Sequence, residues 1–198
     1  MVIDALYLFV FAGLFSPGPN VILLLASGVR FGFVRTLPHV LGIAAGVGIT
    51  AAATGYGIAA FLQEFPLLAL VLRVLSASWI FWMAFKLYSS ARLAPIKGED
   101  RPFTFVEAVL FQWINPKAWA VALAAAGGFT ASYDPVDSAR VLATAFATVN
   151  LGVCLFYATM GSVLARWLQQ GVLWRLFNGF LCGLLAFSGL LVLFYGLV

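Results

Sequence analysis

Two short segments hold the residue types most able to do chemistry: Ser16-Pro17-Gly18-Pro19-Asn20 and Asn115-Pro116-Lys117. Both lie inside long apolar tracts. Proline has no N–H and pushes the residue before it out of helical geometry. In lipid, the freed backbone groups need a protein partner or a polar cavity. A helix that restarts near Asn20 would point unpaired N–H groups and the positive end of its dipole into the protein. That chemistry suits a carboxylate. The alternative is a surface turn between two short apolar pieces. Neither the piece before Ser16 nor the run from Val21 to Val29 is long enough to span alone, which favours one broken helix.

Lys117 carries the second segment. It lies ten residues inside Glu107, about 15 Å along a helix. That is deep for a side chain that snorkels to the surface. An ionisable group at such depth marks a functional site by default. Its partner could be a substrate carboxylate or the carbonyls of a half-helix. Three further residues are secondary candidates: Arg73, Asn150 and Tyr157. Arg73 can snorkel or pair internally, and Asn150 can bond between helices or contact a substrate. His39, just after Pro38, reads as interfacial rather than as a ligand. The aromatic residues Trp79, Phe81, Trp82, Phe85 and Tyr88 read as an interfacial belt.

The elements that must position these groups follow from composition. Of 198 residues, 64% are hydrophobic and only 9% are charged, with a mean hydropathy of +1.06. A soluble domain cannot hide that much apolar surface, so the chain is an integral membrane protein. Uncharged tracts run over 5–29, 36–63, 141–165 and 176–198. Two more, 65–85 and 108–133, each hold a single cation, Arg73 and Lys117. Six tracts of spanning length predict helices over 4–28, 38–62, 66–88, 104–130, 140–165 and 174–197. The fold expected is an all-α membrane protein with six transmembrane helices, helices 1 and 4 broken. It forms a single membrane domain, 1–198: repeat one over 1–88, a cytoplasmic loop over 89–103 and repeat two over 104–198. Three helices per half make the two repeats inverted. Matching breaks in inverted halves point to a transporter's binding site.

Cations concentrate on one side of such a chain: Arg30, Arg35, Lys86, Arg92, Lys97, Arg101, Arg166 and Arg175. The positive-inside rule then places both termini outside. The net charge of +4 reflects topology, since no basic run with interleaved aromatics suggests nucleic acid. Cys154 and Cys182 form no C-x-x-C and read as packing residues. Glycine pairs at Gly28/Gly32, Gly42/Gly46 and Gly179/Gly183 read as close packing within the chain, with self-association the minority reading. No acidic residue lies deep in any tract, and no catalytic cluster, metal-ligand set or phosphate loop is visible, so neither an enzyme nor a cofactor is expected.

Phe15-Ser16-Pro17-Gly18-Pro19-Asn20, Gly42-Ile43-Ala44-Ala45-Gly46 and Asn115-Pro116-Lys117-Ala118 resemble the lysine exporter family, LysE and its homoserine/threonine (RhtB) relatives. Arg73 and the last-helix glycines Gly179, Gly183 and Gly189 fit the same pattern. The resemblance covers essentially the whole chain. It implies a bacterial inner-membrane exporter of amino acids or related small carboxylates, driven by the proton motive force. Pro17, Gly18, Pro19, Asn20, Asn115, Pro116 and Lys117 would then build the translocation centre. The rivals are a metal or inorganic-ion exporter on a related scaffold, a membrane enzyme, and a non-transporting membrane protein. The first two would need ligands or catalytic clusters that the tracts lack. The third would leave both breaks unexplained.

Overall fold

The computed structural model describes residues 2–16, 18–57, 66–92, 101–168 and 171–195. All of its regular structure is helical: α1 (Val2–Phe15), α2 (Pro19–Phe31), α3 (Phe33–Gly55), α4 (Pro66–Arg92), α5 (Phe105–Trp113), α6 (Pro116–Phe129), α7 (Pro135–Leu164) and α8 (Gly171–Tyr195). Among the described residues, three helices are long and apolar enough to cross a membrane: α3, α7 and the Val172–Phe194 part of α8. A fourth crossing results if α1 and α2, bent by 63°, serve as one span.

The expected breaks are present. Tract 4–28 is split into α1 and α2, and tract 104–130 into α5 and α6. Other boundaries differ from the sequence reading, each for a local reason. The linker expected before Pro38 is helical except at Gly32, whose φ of 79° only glycine adopts freely. The Gly32 N–H closes α2 on the Gly28 carbonyl, and the Thr36 hydroxyl donates to the Gly32 carbonyl at 2.8 Å. Pro38 therefore sits inside α3 rather than at its start. The fifth tract begins at Pro135 rather than at 140. Asp134 caps it, accepting from the backbone N–H of Val136 and Asp137, with Pro135 preset for the first turn. Bonds from Asp137 and then Val136 hold the Asp134 carboxyl below the usual carboxylate range. The expected tight turn at 63–65 lies outside the described residues.

Two apolar clusters hold the helices together. The first joins α1, α2, α3, α5, α6 and α7 through Leu6, Leu24, Ile43, Ala108, Ala122 and Phe146. The second joins α2, α4, α5 and α8 through Ile22, Ile80, Met83, Phe111 and Leu185. Helix α2 contributes to both, so the segment after the first break lies between the two clusters. Small residues set the closest approaches. A Cβ on Gly28 would come within 2.5 Å of the Ala158 carbonyl, and one on Gly161 within 2.5 Å of the Leu25 carbonyl. Gly46 likewise admits Gln112, whose Cγ would lie 2.6 Å from an added Cβ. At Gly32, Gly179 and Gly183 an added Cβ would meet no packing neighbour within 4 Å among the described residues, so the packing reading gains no support there.

Candidate functional site

The first break exposes carbonyls at the end of α1. The Ser16 hydroxyl donates to the Gly13 carbonyl at 2.9 Å. The Phe15 carbonyl accepts from the Tyr157 hydroxyl of α7 at 3.0 Å. The Ser16 carbonyl accepts from the Lys117 ammonium. Thus groups distant in sequence satisfy the carbonyls that the break releases. At the start of α2, Gly18 is extended (φ −168°) and provides no side-chain cap, while Pro19 occupies the first turn. Gly18 matters through space rather than through backbone freedom. A Cβ there would lie 2.9 Å from Lys117 Cδ and 3.1 Å from its Nζ.

The second break is closed by its own residues. Asn115 caps α6, its Oδ1 accepting from the Lys117 N–H at 3.2 Å. Pro116 follows in the first turn. The Asn115 Nδ2 donates to Gln112 Oε1 at 3.1 Å. The buried Trp119 adds its indole N–H, donating to the Trp113 carbonyl at 3.0 Å.

A residue absent from the sequence reading joins the breaks. Gln112 is fully buried at the end of α5. It accepts from Asn20 Nδ2 at 2.8 Å and donates back to Asn20 Oδ1 at 3.2 Å. It also donates to the Ala108 carbonyl at 3.0 Å. Every donor and acceptor that Gln112 offers is engaged. The available signal was an amide one helical turn before Asn115, in a tract otherwise apolar. Its partner, Asn20, is 92 residues away.

These groups enclose a small cavity of about 10 Å³, room for about one water. Gly18, Asn20, Asn115, Lys117 and Asn150 all line it. Asn150 is 3% exposed; its Oδ1 accepts from Cys154 Sγ at 3.7 Å, and its Nδ2 has no hydrogen-bond partner among the described residues. Pro19 is buried beside them and Pro116 is half-buried. Tyr157 stands behind the junction on Phe15. Pro17 lies outside the described residues, as does the side chain of Arg73 on α4. His39 is 1% exposed and stacked on Phe103 at 4.9 Å, buried rather than interfacial.

The junction ties the two distant motifs together: each supplies partners to the other. The LysE type translocator family profile matches residues 11–196, a stretch that includes both breaks. The chain belongs to the LysE type translocator family. Comparisons with curated proteins and with solved structures found no match. This LysE-type translocator is therefore a multi-pass membrane protein of a transport family, not of an enzyme family. A small-molecule substrate and the lipid bilayer are the partners that membership implies. Among its described residues no group of three His, Cys, Asp or Glu could hold a metal ion.

Proposed function

We propose that this translocator exports amino acids or related small carboxylates across the bacterial inner membrane by proton-coupled alternating access. The reading rests on the donor chemistry of the central junction. Lys117 Nζ and the unpaired Asn150 Nδ2 line one cavity between two broken helices. An ammonium and a spare amide N–H favour an anionic oxygen, and a substrate carboxylate supplies two. Gly18, Asn20 and Asn115 complete the wall, with Pro17, Pro19 and Pro116 creating the breaks. Tyr157 steadies α1, and Arg73 is a secondary candidate on α4.

The architecture proposed is six spans in one membrane domain, two inverted repeats of three helices over 1–88 and 104–198. The packing supports it by exchange. The broken pair α1/α2 packs on α7, and the broken pair α5/α6 packs on α3. Each broken span thus meets the unbroken second span of the other half. The described cavity holds about one water, so the halves must separate before a substrate fits. Lys117 leaving the Ser16 carbonyl for a substrate carboxylate is the step that frees α1. Positive-inside orientation puts the 89–103 loop in the cytoplasm and both termini outside.

Purified protein in proteoliposomes, presented with a panel of radiolabelled amino acids, tests the function. The expected result is saturable flux of a subset, accelerated by an imposed pH gradient. Flux of none of the panel, or flux indifferent to the gradient, would remove the substrate class or the coupling respectively.

A further inference from the structure

The C-terminal end of α1 is held by donors from other helices. Its carbonyls accept from the Tyr157 hydroxyl at Phe15 and from the Lys117 ammonium at Ser16. A helix C-terminus is the negative end of the helix dipole, so a cation is favoured there. In transporters with broken helices, such half-helix ends and their unwound carbonyls coordinate cations. Here the cation comes from the chain itself. No carboxylate lines the adjoining cavity, whose wall runs from Leu14 and Gly18 to Asn150 and Cys154. The hydrogen-bond partner of the ammonium is a carbonyl, not an acid. Asn150, 3% exposed, lines the same cavity, and its Nδ2 has no hydrogen-bond partner among the described residues. A buried donor left over beside an engaged one points to a ligand that brings its own acceptor.

Moving Lys117 has a consequence for α1. Once the ammonium turns to a substrate carboxylate, the Ser16 carbonyl loses its partner and α1 loses its terminal cation. A carbonyl left unpaired in apolar surroundings is costly. A primary ammonium on the same ligand restores both the bond and the charge. Ser16 and Lys117 touch in the closed junction, so a ligand inserted between them must carry its two charges close together. Gly18 leaves the Lys117 stem room to swing, since an added Cβ would lie 2.9 Å from Lys117 Cδ. Ser16 is exposed, which lets a small amine reach this end of α1.

We propose that the C-terminal end of α1 is a cation subsite, filled by Lys117 in the closed junction and by a ligand's primary ammonium once Lys117 holds that ligand's carboxylate. The second half rests on reading the chain as a carboxylate exporter. Lys117 and Asn150 Nδ2 take the carboxylate, and the Ser16 carbonyl takes the ammonium. An ammonium and a carboxylate on one carbon meet both demands. An acylated amine has lost its charge and all but one of its donors, so it leaves the end of α1 without a cation. Lys117 is thereby a place-holder as well as an anchor: it occupies the subsite until a ligand replaces it.

The test has two arms, both on the full chain in nanodiscs at neutral pH. In the first, Lys117→Ala removes the internal cation and leaves a space that n-propylammonium matches atom for atom. Added n-propylammonium chloride should raise the melting temperature of this variant saturably. Tetramethylammonium, which has no N–H, and 1-propanol, which has no charge, should give little or no shift. The wild type should not respond, because Lys117 fills the subsite. In the second arm the wild type binds a radiolabelled mixture of the proteinogenic amino acids. The same mixture N-acetylated should compete at least about tenfold less well than the unlabelled amino acids. No shift with n-propylammonium, an equal shift with tetramethylammonium, or equal competition by the N-acetylated mixture overturns the proposal. The second arm decides on its own where Lys117→Ala does not fold, and there the absence of saturable binding also overturns it. A mixture of amino-acid amides competing as well as the acids would remove the carboxylate reading instead. An n-propylammonium shift would survive that result, so the two readings fail separately.

Discussion

The two breaks solve the same problem by different means. The break after α5 is closed locally: Asn115 caps the next helix, and Gln112, one turn earlier, receives its amide. The break after α1 is closed from elsewhere: Tyr157 of α7 and Lys117 of α6 satisfy the Phe15 and Ser16 carbonyls. A locally capped break keeps its shape as its surroundings move. A remotely satisfied break keeps its shape only while the halves stay together. Under the alternating access proposed above, the first break would be the moving part of the junction and the second the fixed part against which it works.

Lys117→Ala should break this contrast most severely. It removes the charge-assisted bond to the Ser16 carbonyl and the cation of the central cavity. Efflux should fall about 100-fold, while insertion and helix content persist. Undiminished flux in proteoliposomes would sink the role given to Lys117. Gln112→Leu comes next. It leaves the Asn20 and Asn115 amides short of partners, costing about 2–4 kcal/mol of stability. The expected readout is a clearly lower melting temperature in detergent, and an unchanged melt would mean the amide bridge is not structural.

Asn115→Ala should cost about 1–2 kcal/mol, since a cap and one amide bond are lost. Asn115→Asp keeps the capping oxygen and should recover part of that, whereas equal losses would show that capping is not what closes the second break. Gly18→Ala adds a methyl beside the flexible end of Lys117. The backbone there tolerates alanine, so the fold should persist while efflux drops several-fold. A destabilised but fully active variant would contradict that placement. The smallest effect belongs to Tyr157→Phe. One hydrogen bond is lost, about 1 kcal/mol. The melting temperature in detergent should fall slightly, and an unchanged melt would weaken the claim that this bond holds the first break.

Much of the frame was legible because membrane depth penalises polar groups so heavily. Prolines inside apolar tracts announce breaks, and α1/α2 and α5/α6 separate where Pro19 and Pro116 sit. Partners for Lys117 could be narrowed to half-helix carbonyls or a ligand, and the Ser16 carbonyl is the one it meets. Helix ends were less legible. Gly32 ends α2 in a single residue, so a linker expected from Val29 to Leu37 is nearly all helix. Asp134-Pro135 is a readable helix start that tract length alone overlooks. His39 follows a proline near cations and so resembles a surface residue, yet Phe103 and the α3–α5 contact bury it.

What the sequence by itself determined is chemical type and topological class: an apolar chain of a translocator family, with two interruptions and one deep cation. Those follow from composition and spacing, which act locally along the chain. Only the tertiary structure decided that Gln112 bridges the breaks, that Gly18 makes room for Lys117, and that Arg30, Trp79 and Trp82 wall a common cavity. A hydrogen bond or a cavity depends on where distant helices cross. That placement is set by close approaches at residues such as Gly28, Gly46 and Gly161, whose partners no local pattern names.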